Sequence, residues 1–332
     1  MDIDIKENDI LERSPELLDI LLKDHTTQQH IFWATDDYKD LKEGYQFDDC
    51  IEADKITGEN GNIVQPRVLK SKESQAQRIK EKAEVFTPSW VCNAQNNLVD
   101  DAWFGRKEVF NHEITNEDGS HTWEATKDKI PFPTEDGKTW KDYVAEQRLE
   151  ITCGEAPYLA SRYDTTTGEV IPIHKRIGLL DRKLRVVNEN TDDTTDWLLW
   201  SKTALRATYG YEWQGDSLLL ARESILYTFM DYYREKFGKE VQLKSLKGAA
   251  YIISWNLWQM DGLTFGLPGC EKPIPPDLWG EPEEVRKRYC LVKDFIGDKD
   301  VNNENFSDSN FHDSKAKKIH FYTLVHDKSK KK

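Results

Sequence analysis

The sequence predicts an α/β protein built on a parallel sheet, and three observations predict it. A short β-type run, Leu149-Glu150-Ile151-Thr152, enters the small-residue turn Cys153-Gly154-Glu155-Ala156-Pro157 ahead of a helix-capable stretch. A second run, ending in Tyr211-Glu212-Trp213, meets a turn at Gly215-Asp216 and then a long helical pattern with Leu219, Arg222, Ile225, Leu226 and Phe229 at helical spacing. A third apolar stretch, over 247–258, ends in Asp261-Gly262. Strand, turn and helix repeated in this way is βαβ organisation, which favours a parallel sheet.

The remaining elements follow from local pattern. Ser14-Pro15-Glu16 starts a helix whose apolar face is Leu17, Leu18, Ile20, Leu21 and Leu22. Between Asp48 and Lys70, short β-like runs flank the turn Gly58-Glu59-Asn60-Gly61, and a hairpin is the simplest account. Residues 71–82 are helical in composition, and 90–103 read as a second helix with a polar middle. Between these two helices Pro88 holds Thr87 extended. Residues 111–140 are polar and turn-rich, as a surface excursion would be. Beyond Leu263 the chain turns proline-rich and then polar, so that only Arg288–Ile296 and Lys318–Val325 still read as strands. The expected division is a helical and hairpin region over 1–82, an α/β domain over 83–265 and an extension over 266–332.

Composition narrows the partners. The 332 residues carry 60 acidic and 46 basic side chains, a net charge of −14. A protein that grips nucleic acid alone presents a basic face, so any such contact here is expected to be local or shared. The local candidate is the run Arg67, Lys70, Lys72, Arg78, Lys80 and Lys82, interleaved with Glu73 and Glu81 as a solvated helix face would be. Five cysteines without a CxxC pair argue against a disulfide framework and a zinc site. The reducing cytoplasm is the expected location, since no leader-like start and no apolar run of membrane-spanning length is present. P-loop, HExxH and GxSxG motifs are absent too.

Three carboxylates mark the expected site. Glu150 precedes the Cys153-Gly154 turn, Glu212 ends its run and Asp261 follows Asn256-Leu257-Trp258-Gln259-Met260. Ligands of open α/β sheets bind off the carboxyl ends of the strands, where three such acids can converge on one molecule.

Four motifs in order give these positions a family resemblance, over roughly residues 60–263. Glu84-Val85-Phe86-Thr87-Pro88, Glu150-Ile151-Thr152-Cys153-Gly154-Glu155-Ala156, Tyr209-Gly210-Tyr211-Glu212 and Asn256–Asp261 resemble the cofactor-binding half of the N6-adenine DNA methyltransferases, the modification subunits of restriction–modification systems. The resemblance implies a Rossmann-like fold with a sheet that is incomplete in this chain, and S-adenosylmethionine as cofactor. It implies that Phe86, Thr87 and Pro88 pack around the methionine part, that Glu150, Cys153 and Gly154 form the cofactor loop, that Glu212 takes the ribose hydroxyls, and that Asp261 meets the adenine amino group.

Two departures qualify it. Ala156 stands where the family has a glycine, adding a methyl group at a point of close approach. The Asn/Asp-Pro-Pro-Tyr/Phe motif that holds the flipped adenine does not occur, and Ile274-Pro275-Pro276-Asp277 lacks both the amide or acid and the aromatic. No catalytic residue is therefore assigned. In the family, the strand bearing that motif pairs with the strand of Glu150, so the expectation is that a C-terminal strand or a second polypeptide covers that edge. Such a partner would bring the missing motif and most of the DNA contacts. The other reading is a non-catalytic acidic binding or regulatory protein derived from the same fold.

Overall fold

The computed structural model describes residues 3–82, 87–270, 289–295 and 316–326. Its centre is a three-stranded parallel sheet in the order β3 (Arg148–Ile151), β4 (Thr208–Glu212), β5 (Leu257–Gln259). Two helices cross from β3 to β4, α7 (Leu179–Asn190) and α8 (Thr194–Arg206), and two more cross from β4 to β5, α9 (Gly215–Phe237) and α10 (Leu243–Asn256). Parallel neighbours need such crossovers, so the mixed α/β class and the parallel pairing follow directly from the βαβ pattern.

The period-two alternation of the strands sorts the sheet into two faces. Helices α8, α9 and α10 contact the sheet, and α9 is buried along nearly its whole length, with Leu218, Leu219, Ile225, Leu226 and Phe229 all in the core. Phe229 packs on Trp197 of α8 with ring centroids 5.2 Å apart, and truncating so buried a ring costs about 3–5 kcal/mol. Tyr209, Tyr211 and Trp258 share one face through the register Tyr211↔Trp258. They meet Cys290, Val292, Ile319 and Phe321, from β6 (Leu291–Asp294), β7 (Lys317–His320) and their flanks. The last helix, α11 (Phe321–His326), follows β7.

Around this centre stand α1 (Glu7–Arg13), α2 (Pro15–Leu22), α3 (Ala53–Ile56), α4 (Lys72–Lys82), α5 (Ser89–Phe104) and α6 (Trp140–Ala145). Side chains fix several starts. Asp193 accepts the N–H groups of Thr195 and Asp196 at the head of α8, and Thr139 with Asp142 forms a capping box at α6. Among the described residues no helix is long and apolar enough to cross a membrane.

Four expectations need correction. The hairpin expected around Gly58–Gly61 is instead α3 followed by a 3-10 turn, because Tyr45 Oη bonds Lys55 O and Thr57 Oγ1 bonds Ala53 O, closing the chain on itself. The polar stretch 111–140 is the surface excursion expected, and it carries an antiparallel hairpin, β1 (Asn111–Thr115) with β2 (His121–Ala125). No helix follows the Cys153-Gly154 turn directly; residues 153–178 run as turns, with one 3-10 turn at Ile173–Lys175, before α7 begins. The two C-terminal strands pair antiparallel with each other and leave the edge of β3 uncovered among the described residues. Arg78 and Lys70 do not belong to a solvated basic face, since Arg78 is 2 % exposed and both are tied to Asp216. Phe86 and Ile274–Asp277 lie outside the described residues.

Candidate functional site

The carboxyl end of β3 carries the Cys153-Gly154 turn, and its backbone is unusual. Thr152, Gly154 and Ala156 all have positive φ, at 49°, 53° and 60°. Only glycine adopts this region freely; Thr152 and Ala156 each pay on the order of 1 kcal/mol for it. Ala156 also donates its N–H to Cys153 O at 2.7 Å, which tightens the turn. Such local strain collects at ligand sites, where surrounding contacts hold it.

Those contacts come from both neighbours. Cys153 donates its N–H to Tyr211 O of β4 at 2.9 Å. Its thiol lies over Gly210, where any Cβ would stand 3.2 Å from the sulfur. Gly154 donates its N–H to Glu212 Oε2 at 2.8 Å. Glu155 accepts from Arg67 N and Tyr163 Oη, both at 2.6 Å, binding the turn to the N-terminal region.

Glu150 sits beneath this turn. Its Oε1 accepts from Tyr158 N at 3.4 Å, and its Oε2 is buried without a hydrogen-bond partner. Burial raises its carboxyl well above the ordinary range; the Tyr158 and Leu159 N–H groups oppose the shift and the charge of Glu212 adds to it. Two buried thiols face the same carboxyl: burial and then Glu150 push Cys92 up to about 12 and Cys153 well above its usual value.

The Thr87-Pro88 segment arrives beside these groups from the other side of the sequence. Pro88 precedes α5, and Asp164 accepts the Ser89 N–H at 2.7 Å. Although burial opposes it, hydrogen bonds from Thr166 and Ser89 hold Asp164 down at about 2, a fixed negative charge at the positive end of the helix. Thr87 O accepts from Cys92 Sγ at 3.6 Å and Thr165 Oγ1 at 3.3 Å, and Asn96 Nδ2 of the same helix donates to Tyr158 O at 3.0 Å. Residues 87–92 and 150–158, far apart in sequence, thus form one cluster around Glu150.

The other two acids are engaged with backbone. Glu212 Oε1 accepts from Trp213 N at 2.9 Å and Gln214 N at 3.3 Å, while Oε2 holds Gly154. Burial still raises its carboxyl, against the pull of these three N–H groups. Asp261 closes its own turn, accepting from Leu263 N at 2.8 Å and Thr264 Oγ1 at 2.9 Å. It stands one residue past Met260, whose N–H bonds Glu212 O at 2.9 Å.

Comparison with family models, with curated proteins and with solved structures gives no match. The site therefore rests on its own geometry.

That geometry includes a cover which the sequence did not suggest. Phe32 exchanges two hydrogen bonds with the Gln259 side chain, at 3.1 and 2.8 Å, and Ala34 O accepts from Trp213 Nε1 at 3.1 Å. Gly215 at the head of α9 donates to Trp33 O at 3.0 Å, and a Cβ there would lie 2.1 Å from Phe32 O, so no other residue fits. Next to it Asp216 is fully buried and accepts from Tyr38 Oη at 2.7 Å, Lys70 Nζ at 3.0 Å and Arg78 Nη2 at 3.3 Å. Burial pushes the Asp216 carboxyl up, but the two cations and the hydroxyl outweigh it and hold it well below the carboxylate range. Arg78 also bonds Gln214 Oε1 at 2.7 Å and Asp37 Oδ2 at 2.6 Å. The sequence signal for this network is the arginine and lysine run itself, whose interleaved Glu73 and Glu81 suggest a solvated face instead.

Proposed function

We propose that the chain is the S-adenosylmethionine-binding subunit or fragment of a DNA adenine N6-methyltransferase of a restriction–modification system. One observation carries the reading: α5, which Thr87-Pro88 leads into, and the chain after the Cys153-Gly154 turn meet at Tyr158 beside Glu150, whose Oε2 is buried without a partner. A buried carboxylate oxygen that lacks a donor favours a cationic ligand, and the cofactor carries an ammonium and a sulfonium. The parallel order of β5, β4 and β3, with the turn at their carboxyl end, supports a Rossmann-like crevice.

In this reading Phe86, Thr87, Pro88, Glu150, Cys153 and Gly154 border the methionine part, while Glu212 and Asp261 serve the nucleoside. Glu150 fits that role with a free oxygen. Glu212 and Asp261 fit it only by exchanging a backbone N–H for a ligand group. The Asn-Pro-Pro motif that holds the methyl acceptor does not occur in these 332 residues, and in this reading it is supplied by a partner, with most of the DNA contacts, or lost.

A second reading has a specific observation in its favour. All oxygens of Glu212 and Asp261 already accept hydrogen bonds within the chain, and residues 32–34 bond the end of β4 and the head of α9. Both features suit a non-catalytic binding or regulatory protein of the same fold.

Calorimetric titration with S-adenosylmethionine separates the two. The first reading expects saturable one-site binding that Glu150→Gln weakens by about tenfold or more, the equivalent of one lost charged contact. A folded chain that takes up no cofactor at ~1 mM overturns it in favour of the second.

A further inference from the structure

Strands β6 and β7 set two lysines directly opposite each other, in the register Lys293↔Lys318. Like charges on facing residues destabilise a strand pair, so this one calls for something that offsets it. Lys293 is 3 % exposed and donates to Tyr251 Oη at 3.0 Å, while Lys318 is exposed. Among the described residues neither ammonium has a carboxylate partner. Asp294, the next residue along, alternates to the other face of β6, where its charge acts on Tyr209.

Both lysines converge on one ring of α10, the helix that packs on β6. Lys293 Nζ stands 5.5 Å and Lys318 Nζ 5.4 Å from the ring centroid of Trp255. His25 is stacked on one face of that ring, with centroids 3.8 Å apart and planes 7° from parallel, so the two ammoniums approach over the other face. Trp255 is 2 % exposed, and its Nε1–H is a buried donor without a partner. Burial, followed by the charges of Arg222, Lys23, Lys293 and Lys318, lowers His25 to about 2, so the imidazole is neutral and sits in a positive local field. In a chain of net charge −14 this is a local reversal of sign. A ring face attracts each cation but carries no net charge, and it leaves the two lysines repelling each other.

We propose that Lys293, Lys318 and the Nε1–H of Trp255 form a binding site for a phosphate-type dianion, entered from the Lys318 side. Charge and donor count select the class. Two ammoniums match two negative charges, and a tetrahedral oxyanion has acceptor oxygens for all three donors at once. A carboxylate or a phosphodiester, with one charge, neutralises one lysine and leaves the other opposed. The inference rests on β6, β7 and α10 and does not require that the chain bind a cofactor.

The test is calorimetric titration of the full chain at about pH 8 with inorganic phosphate, methyl phosphate and dimethyl phosphate, the ionic strength being held with chloride. The expected result is saturable one-site binding of dianion, with the diester bound about tenfold more weakly or worse. Affinity should fall below about pH 6, where the dianion takes up a proton. Methyl phosphate bound as well as phosphate supports the site with a phosphomonoester as its source, and exclusion of methyl phosphate supports it with free phosphate. Lys318→Gln, at an exposed position, is expected to lose about tenfold or more in affinity. In phosphate-free buffer the same variant should melt no lower than the parent, because the opposed pair is gone. Trp255→Phe keeps a ring, removes the donor and weakens binding by about fivefold. No saturable binding at ~10 mM phosphate, an affinity that Lys318→Gln leaves intact, or equal binding of the diester overturns the proposal. So does a Lys318→Gln protein that melts well below the parent without phosphate, since the lysine pair is then a structural contact with the ring.

Discussion

β3 and β4 lie side by side in one parallel sheet, and each carries a glutamate at its carboxyl end, yet the two ends are finished in opposite ways. At β4, Glu212 accepts three backbone N–H groups, and the next residues are bonded by Phe32–Ala34 and by the Arg78–Asp216 network. At β3, Glu150 keeps a buried oxygen without a donor, the turn above it holds three residues at positive φ, and the strand's outer edge is unpaired among the described residues. The contrast teaches that an acid at a strand end is not yet a ligand site. What decides is how many donors the local backbone brings within reach of it, and a turn rich in free N–H groups converts such an acid into a cap.

The comparison breaks most sharply at Asp216. Replacing it with alanine takes from Lys70 and Arg78 the fully buried carboxylate they share and leaves Arg78 its contact with Asp37, which costs about 3 kcal/mol in a urea unfolding experiment. The same variant should expose the end of β4, read as faster amide exchange at Gly215. Glu212→Gln follows in size. An amide cannot accept from Gly154, Trp213 and Gln214 as a carboxylate does, and the loss is about 1.5–3 kcal/mol, with exchange at Gly154 speeded in parallel. A Glu212→Gln protein as stable as the parent would mean that the cap is incidental and the acid is free for a ligand.

The sequence made the sheet legible because each strand of the parallel trio is short, apolar and followed by a turn residue with a local reason to be there. Gly154 at positive φ and Gly215 against Phe32 O are such reasons. The N-terminal region was less legible. Its β-like residues between Asp48 and Lys70 suggest a hairpin, whereas contacts such as Tyr45 to Lys55, set by the tertiary fold, make that segment helical and turned. Local propensity is a weak guide where tertiary hydrogen bonds compete. The state of the three acids was not legible at all. Glu212 and Asp261 look alike as letters, and only the positions of Gly154 N and Leu263 N reveal what each one holds.

The smallest effect is the most discriminating, because the same substitution is expected to change sign between the two strands. Burial raises the folded-state carboxyl of Glu150 well above the value it has in the unfolded chain. Its contribution to stability is therefore fully present below about pH 4.5, where both states are protonated, and is lost as pH rises toward the folded value, because the unfolded state releases its proton first. Glu150→Gln removes that loss. The variant should gain on the order of 1 kcal/mol over the parent at pH 8 and show no such gain at pH 4. Glu7 and Glu223, buried between α1 and α9 with all four oxygens lacking partners, titrate in the same direction, burial raising Glu7 to about 8 and Glu223 well above its usual value. They shift parent and variant alike, so the difference between the two stability profiles isolates Glu150. A variant that is less stable than the parent at pH 8 would mean that the Oε2 of Glu150 is charged and held in the free protein. The two strand ends would then be finished alike.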